Sequence, residues 1–95
     1  MRRTIGLKDT FRARDGVTAR EFDGDWIVLD LPGGNYFGLD AIGGTIWTYM
    51  LEGKSAEEIV ALLVASHDVS DSIALRDVLE LAEQLLNYGL IQINE

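Results

Sequence analysis

The chain has 95 residues, 47% of them hydrophobic and 25% charged, with one proline, no cysteine and a formal net charge of −8. That length suits one hydrophobic core and argues against a second domain. Without cysteine there is no disulfide framework, no thiolate nucleophile and no cysteine metal site; no apolar run approaches a membrane span, and no signal-like segment follows Arg2 and Arg3. The expectation is a soluble, cytoplasmic protein with no membrane contact.

The charge is unevenly spread. Residues 1–20 carry six basic side chains (Arg2, Arg3, Lys8, Arg12, Arg14, Arg20) against Asp9 and Asp15, whereas from Glu21 onward fourteen acids face only Lys54 and Arg76. The body is thus near −12, a field that repels nucleic acid phosphates and attracts a basic peptide, although the same acids also serve as ordinary solubilising charge.

Taken in order, residues 1–15 mix charges with isolated Ile5, Leu7 and Phe11 and show no sustained period, so they read as a flexible arm or a short edge strand ahead of a single domain over 16–95. Val17 to Phe22 form a β-branched and aromatic run ended by Asp23-Gly24, a pair that supplies φ > 0 in tight hairpins. Trp26 to Leu31 is the clearest strand, Pro32-Gly33-Gly34-Asn35 a turn, and Tyr36 to Leu39 a third strand, which completes an antiparallel meander. Strand two is apolar on both alternating sets, Trp26/Val28 and Ile27/Leu29/Leu31, so parity alone leaves open which set faces the helices.

Asp40 occupies an N-cap position before Ile42, Ile46, Trp47, Tyr49 and Met50, whose spacing predicts a helix over about 41–52 ending at Gly53. Gly43 and Gly44 each lower its propensity by roughly 1 kcal/mol relative to alanine, which implies close packing there. Ser55-Ala56-Glu57-Glu58 matches a capping box and opens a second helix that fades near Ser66-His67-Asp68. Ser70 or Asp71 caps a long third helix with Leu75, Val78, Leu79, Ala82, Leu85 and Leu86 on one face and Leu81 and Tyr88 to its side; Gly89 ends it, and Leu90 to Ile93 alternate as a final short strand. The fold class is α+β, a winged helix-turn-helix-like layout with a three-stranded antiparallel sheet first, three helices next and a short C-terminal strand.

No catalytic constellation is present, and the chain reads as a non-enzyme without cofactor or metal. His67 is the one histidine and lies at a helix exit; Asp23, Asp25 and Asp30 do not reproduce a calcium loop; the two glycine pairs match no phosphate-cradling motif. A duplex-reading third helix needs lysine and arginine, yet this one carries Asp71, Asp77, Glu80 and Glu83 against Arg76, so a DNA-binding regulator rests only on the basic N-terminal residues. Peptide recognition fits better. The unpaired edge at Asn35 to Leu39 accepts an added strand through main-chain hydrogen bonds, with Leu81, Leu85 and Tyr88 as apolar wall and Asp77, Glu80 and Glu83 as partners for basic residues. Plain core packing and a solvated helix face account for the same residue types.

Four segments carry a family likeness: Trp26-Ile-Val-Leu-Asp-Leu31; Gly34-Asn-Tyr-Phe-Gly-Leu-Asp-Ala-Ile-Gly-Gly-Thr-Ile-Trp47; Gly53-Lys-Ser-Ala-Glu-Glu-Ile59; and Leu85-Leu-Asn-Tyr-Gly-Leu90. Over roughly residues 17–91 the chain resembles the pyrroloquinoline quinone biosynthesis protein D family of RiPP recognition elements, and most resembles stand-alone members of lasso-peptide pathways. Aspartate at Asp40 stands where many members have asparagine and serves the same cap. The resemblance implies a protein that binds the leader region of a ribosomally made precursor peptide and presents it to a separate leader peptidase and a cyclase. It also implies a leader lying as an added strand along Asn35, Tyr36, Phe37, Gly38 and Leu39 and against Asp77, Val78, Leu81 and Leu85. Adaptors of this kind also serve other RiPP pathways and radical SAM enzymes, so leader binding is implied more firmly than the class of the mature peptide.

Overall fold

The computed structural model describes residues 4–95. In chain order the elements are β1 (Phe11–Ala13), β2 (Val17–Phe22), β3 (Asp25–Asp30), β4 (Asn35–Leu39), α1 (Ala41–Leu51), α2 (Ala56–Ser66), α3 (Asp71–Asn87) and β5 (Ile91–Ile93). Strands β2, β3 and β4 form the expected antiparallel meander in that order, while β1 and β5 form a separate two-stranded sheet. The architecture is α+β, and the winged-helix label fits it loosely. The sheet precedes the helices, and the last strand pairs with β1 instead of joining the meander.

Local chemistry explains most of these bounds. Phe22 pairs with Asp25 across the two-residue loop Asp23-Gly24, whose φ values of 51° and 90° match the right-handed twist of the flanking strands. Asp40 caps α1 by accepting from Gly43 N–H at 2.8 Å. At α2 the capping box is complete, with Glu58 Oε1 accepting from Ser55 N–H at 2.8 Å and Ser55 Oγ accepting from Glu58 N–H at 3.3 Å. Ser70, not Asp71, caps α3.

The open question of parity is answered at β3. Val28 is 0% exposed and packs in the core, so the Trp26/Val28 set faces the helices and Ile27 and Leu29 face outward. The glycine pair in α1 makes this possible. A Cβ on Gly44 would collide with the Trp26 indole, and one on Gly43 would come within 3.2 Å of Leu39 Cβ. The close packing that the glycines imply is therefore helix backbone against the side chains of β3 and β4. The core continues through Ile46, Trp47, Met50, Ile59, Val78 and Leu85.

Of the N-terminal segment, residues 4–15 pack with the rest of the fold, and residues 1–3 lie outside the described residues. Phe11 is only 2% exposed, Ile5 is buried, and β1 pairs in register with β5, Phe11 opposite Ile93. Ahead of β1, Leu7 C=O accepts from Glu57 N–H at 2.9 Å and Asp9 C=O accepts from Ala56 N–H at 3.0 Å, so this segment satisfies first-turn donors of α2 that the helix itself cannot. Lys8 Nζ lies 2.8 Å from Glu57 Oε1, and Arg12 donates to Gln92 and Asn94. Of the basic N-terminal residues, Arg2 and Arg3 lie outside the described residues.

Candidate functional site

The site is built on β4, whose five residues pair with β3 from Asn35 opposite Asp30 to Leu39 opposite Trp26. No other strand among the described residues covers its second edge. Which backbone groups face that edge follows from the ladder. Leu31 N–H bonds to Gly16 C=O at 3.1 Å, which makes Val17 and Asp30 a non-hydrogen-bonded pair and directs the main-chain groups of Leu29 and Ile27 toward β2. Those of Trp26, Val28 and Asp30 then point at β4 and bond to Leu39, Phe37 and Asn35. By alternation, the N–H and C=O groups of Tyr36 and Gly38 point away from the sheet, toward the open edge.

Side chains on β4 divide by the same period. Tyr36 is 76% exposed on the outer sheet face, beside a Gly38 whose surroundings are empty to 4 Å, while Phe37 and Leu39 turn toward the helices. Phe37 meets Tyr88 at the C-terminus of α3, with ring centroids 5.2 Å apart and planes tilted by 50°. That aromatic contact ties the edge strand to the third helix.

Beyond it, a groove of about 330 Å³ opens between the β4–α1 junction, through Asp40, Ile42, Gly43 and Ile46, and α3, through Asp77, Glu80, Leu81 and Gln84. Three carboxylates rim an apolar floor. Asp40 is committed to its cap, Asp77 Oδ1 lies 3.4 Å from Arg76 Nη2 in an exposed pair of small energetic weight, and Glu80 has no hydrogen-bond or ion-pair partner among the described residues. The groove can take an apolar side chain flanked by a cation.

The residues expected at the site are thus separated by the fold. Asn35 to Leu39 form the edge strand, Asp77 and Leu81 line the groove, and Tyr88 packs on Phe37 of the strand. Val78 and Leu85 are each 0% exposed; they hold α3 against the core and offer a guest no surface. Ile42 and Gln84 line the groove without having been expected there. A signal for Ile42 existed in its position two residues past the cap, where a helix leaving a strand edge flanks that edge. His67 is exposed, with Nδ1 2.9 Å from Ser66 Oγ, and no group of three or more His, Cys, Asp or Glu side chains among the described residues could hold a metal ion. No helix of the described residues is long and apolar enough to cross a membrane.

The sequence profile of coenzyme PQQ synthesis protein D (PqqD) matches residues 25–91, from β3 to the first residue of β5, and so includes the edge strand, both groove walls and the core between them. The chain belongs to the PqqD family. Two solved structures share the PqqD-type fold seen here. TbiB1 in complex with the TbiA(beta) leader peptide is 36% identical, with a TM-score of 0.79 over 85% of this chain and 94% of that one. A lasso peptide synthetase B1 complexed with the leader peptide is 26% identical, with a TM-score of 0.80 over 86% of this chain and 96% of that one. No curated protein sequence matches the chain significantly.

Proposed function

We propose that this protein binds the leader region of a ribosomally synthesised precursor peptide in a lasso-peptide pathway and presents it, without chemistry of its own, to a separate leader peptidase and cyclase in the cytoplasm. The observation that carries the proposal is the unpaired β4 edge, where Tyr36 and Gly38 hold main-chain donors and acceptors outward in a chain whose similar structures both carry a leader peptide. The leader adds to the sheet as a strand beside β4. Its side chains on the helix side reach Phe37, Tyr88 and the groove at Ile42 and Leu81, each buried anchor contributing about 1.5–3 kcal/mol. A basic leader residue meets Asp77 and Glu80 at the groove rim.

The test is a titration by fluorescence anisotropy, using a labelled leader peptide of a lasso-peptide precursor. Saturable binding at micromolar protein is expected, weakened but not abolished by salt because only the rim contacts are exposed charges. No saturation at high micromolar protein overturns the proposal. A DNA-binding role finds no support, since α3 is acidic along its length and its one arginine, Arg76, already lies against Asp77.

A further inference from the structure

Gly38 is a glycine that the folded chain does not itself require. Its φ lies outside the left-handed region, and a Cβ built on it would meet nothing within 4 Å, whereas one on Gly44 would collide with Trp26. Glycine weakens a strand interior, where β-branched and aromatic residues pack better, and in strands it often marks the close approach of a ligand or of another backbone. No strand among the described residues lies beyond β4 on this side. The space left by the missing side chain is open to an added strand.

That space has walls. Gly38 pairs with Ile27, and Ile27 with Arg20, so the three form one row across the outer face of the meander, away from the helices. Ile27 stands directly behind Gly38, Tyr36 projects beside it into solvent, and Arg20 ends the row. Neither Tyr36 nor Arg20 has a hydrogen-bond, ion-pair or ring partner among the described residues. The floor of the slot is bare backbone, one wall is aliphatic, another is aromatic, and the far end carries a cation.

We infer that this slot is a subsite for the leader, taking one aromatic side chain on the outer face of the sheet. The inference rests on strand addition at β4 as proposed above. A guest strand antiparallel to β4 sets one residue opposite Gly38, exchanging both main-chain bonds with it and holding its side chain on the same face. A ring there lies across the glycine, covers its exposed backbone and reaches Ile27, as aromatic side chains do over edge glycines in other sheets. Tyr36, two residues along β4, is a diagonal neighbour within reach of the ring edge. An aliphatic side chain meets Ile27 but gains no ring contact with Tyr36. A lysine or arginine is opposed by Arg20, whose guanidinium favours the face of a ring. The two faces of a bound leader are then read differently, with an aromatic outward over Gly38 and apolar side chains with a flanking cation inward at the groove.

The experiment titrates the isotopically labelled full-length protein with the leader peptide used above, in its natural sequence and with each aromatic residue replaced in turn by alanine. Slowed amide exchange at Tyr36 and Gly38 reads strand addition by itself. One leader substitution is expected to raise Kd by about fivefold or more in the wild-type protein but by less than about twofold in Gly38→Val, whose side chain fills the slot and keeps the N–H. Ile27→Thr, which removes the aliphatic wall at an outward position, is expected to shrink the same effect. The ring of that leader residue should show NOEs to the Ile27 methyls and the Gly38 Hα. Slowed exchange at Tyr36 and Gly38 with no leader aromatic coupled to Gly38→Val or Ile27→Thr overturns the subsite and leaves strand addition standing. So do aromatic NOEs confined to Phe37, Ile42 and Leu81. Leader binding without slowed exchange, or no binding, overturns strand addition and the subsite with it.

Discussion

Gly38→Pro separates strand addition from every other way of binding a peptide at this face. Gly38 directs its N–H outward, so proline deletes a group that the folded protein does not use in its own ladder. A Cβ there meets nothing within 4 Å, and proline is tolerated on edge strands, so the melting temperature should move by no more than about 4 °C. Binding should change much more. The four outward groups of Tyr36 and Gly38, at a net contribution of about 1 kcal/mol each, supply roughly 4 kcal/mol of main-chain affinity. Removing the Gly38 donor also strands the leader carbonyl that faced it, at about 1–3 kcal/mol, which raises Kd by roughly five- to 150-fold. Leader anisotropy titrations alongside thermal melts of wild type, Gly38→Ala and Gly38→Pro read both quantities. Gly38→Ala keeps the donor and should bind nearly as wild type. A folded Gly38→Pro with unchanged Kd would refute strand addition at β4 and move the leader onto the helices.

Three further outcomes follow from the packing. Gly44→Ala drives a methyl into the Trp26 indole and should cost about 1–3 kcal/mol, visible as a lower melting temperature and altered tryptophan emission; an unaltered melt would mean that the close approach of α1 to β3 is not maintained in solution. Phe11→Ala should cost about 3–5 kcal/mol of a total stability near 5–15 kcal/mol, measured by urea unfolding, whereas a dispensable N-terminal segment would leave the midpoint in place. Ser55→Ala removes half of the α2 capping box at about 1 kcal/mol. It should also raise the Glu58 carboxyl, which the hydrogen bond from Ser55 N–H, and secondarily the one with the Ser55 side chain, hold below the ordinary 4.5. A depressed folded-state value means that this stabilisation is present above pH 4.5 and fades as pH falls through the lowered value. Carbon-detected NMR titration of Glu58 in both proteins checks the direction, and identical titration curves would contradict it.

Much of the chain is legible residue by residue, because its signals are local. Asp23-Gly24 dictates a tight hairpin through two positive φ angles, and Asp40, Ser55 and Ser70 announce three helices by offering oxygens to first-turn N–H groups. The edge strand itself, Asn35 to Leu39, is readable between a turn and a cap, and so is the acidity of α3. What a short segment cannot show is a partner far along the chain. Phe11–Ala13 has no period worth reading at three residues, and its pairing with Ile91–Ile93 arises only when the chain ends meet beside the core.

Face and rotation are the other quantities that local sequence leaves open. Strand β3 is apolar on both sides, and only the space over Gly44, filled by Trp26, decides which side is the core. The apolar stripe of α3 is broad, so its leucines and valine look alike until the helix is docked. Docking turns Val78 and Leu85 fully inward and brings Leu81 to the groove beside Ile42. The sequence by itself determined the elements from β2 onward, the caps of α1 and α2, the family likeness and an open strand of suitable chemistry, since these depend on neighbours within a few residues. Tertiary structure alone decided which backbone groups remain unpaired, which side chains line the groove beside the edge, and that the meander ends in a second free edge beside α1, because hydrogen-bond registry and burial are set between segments and not within them.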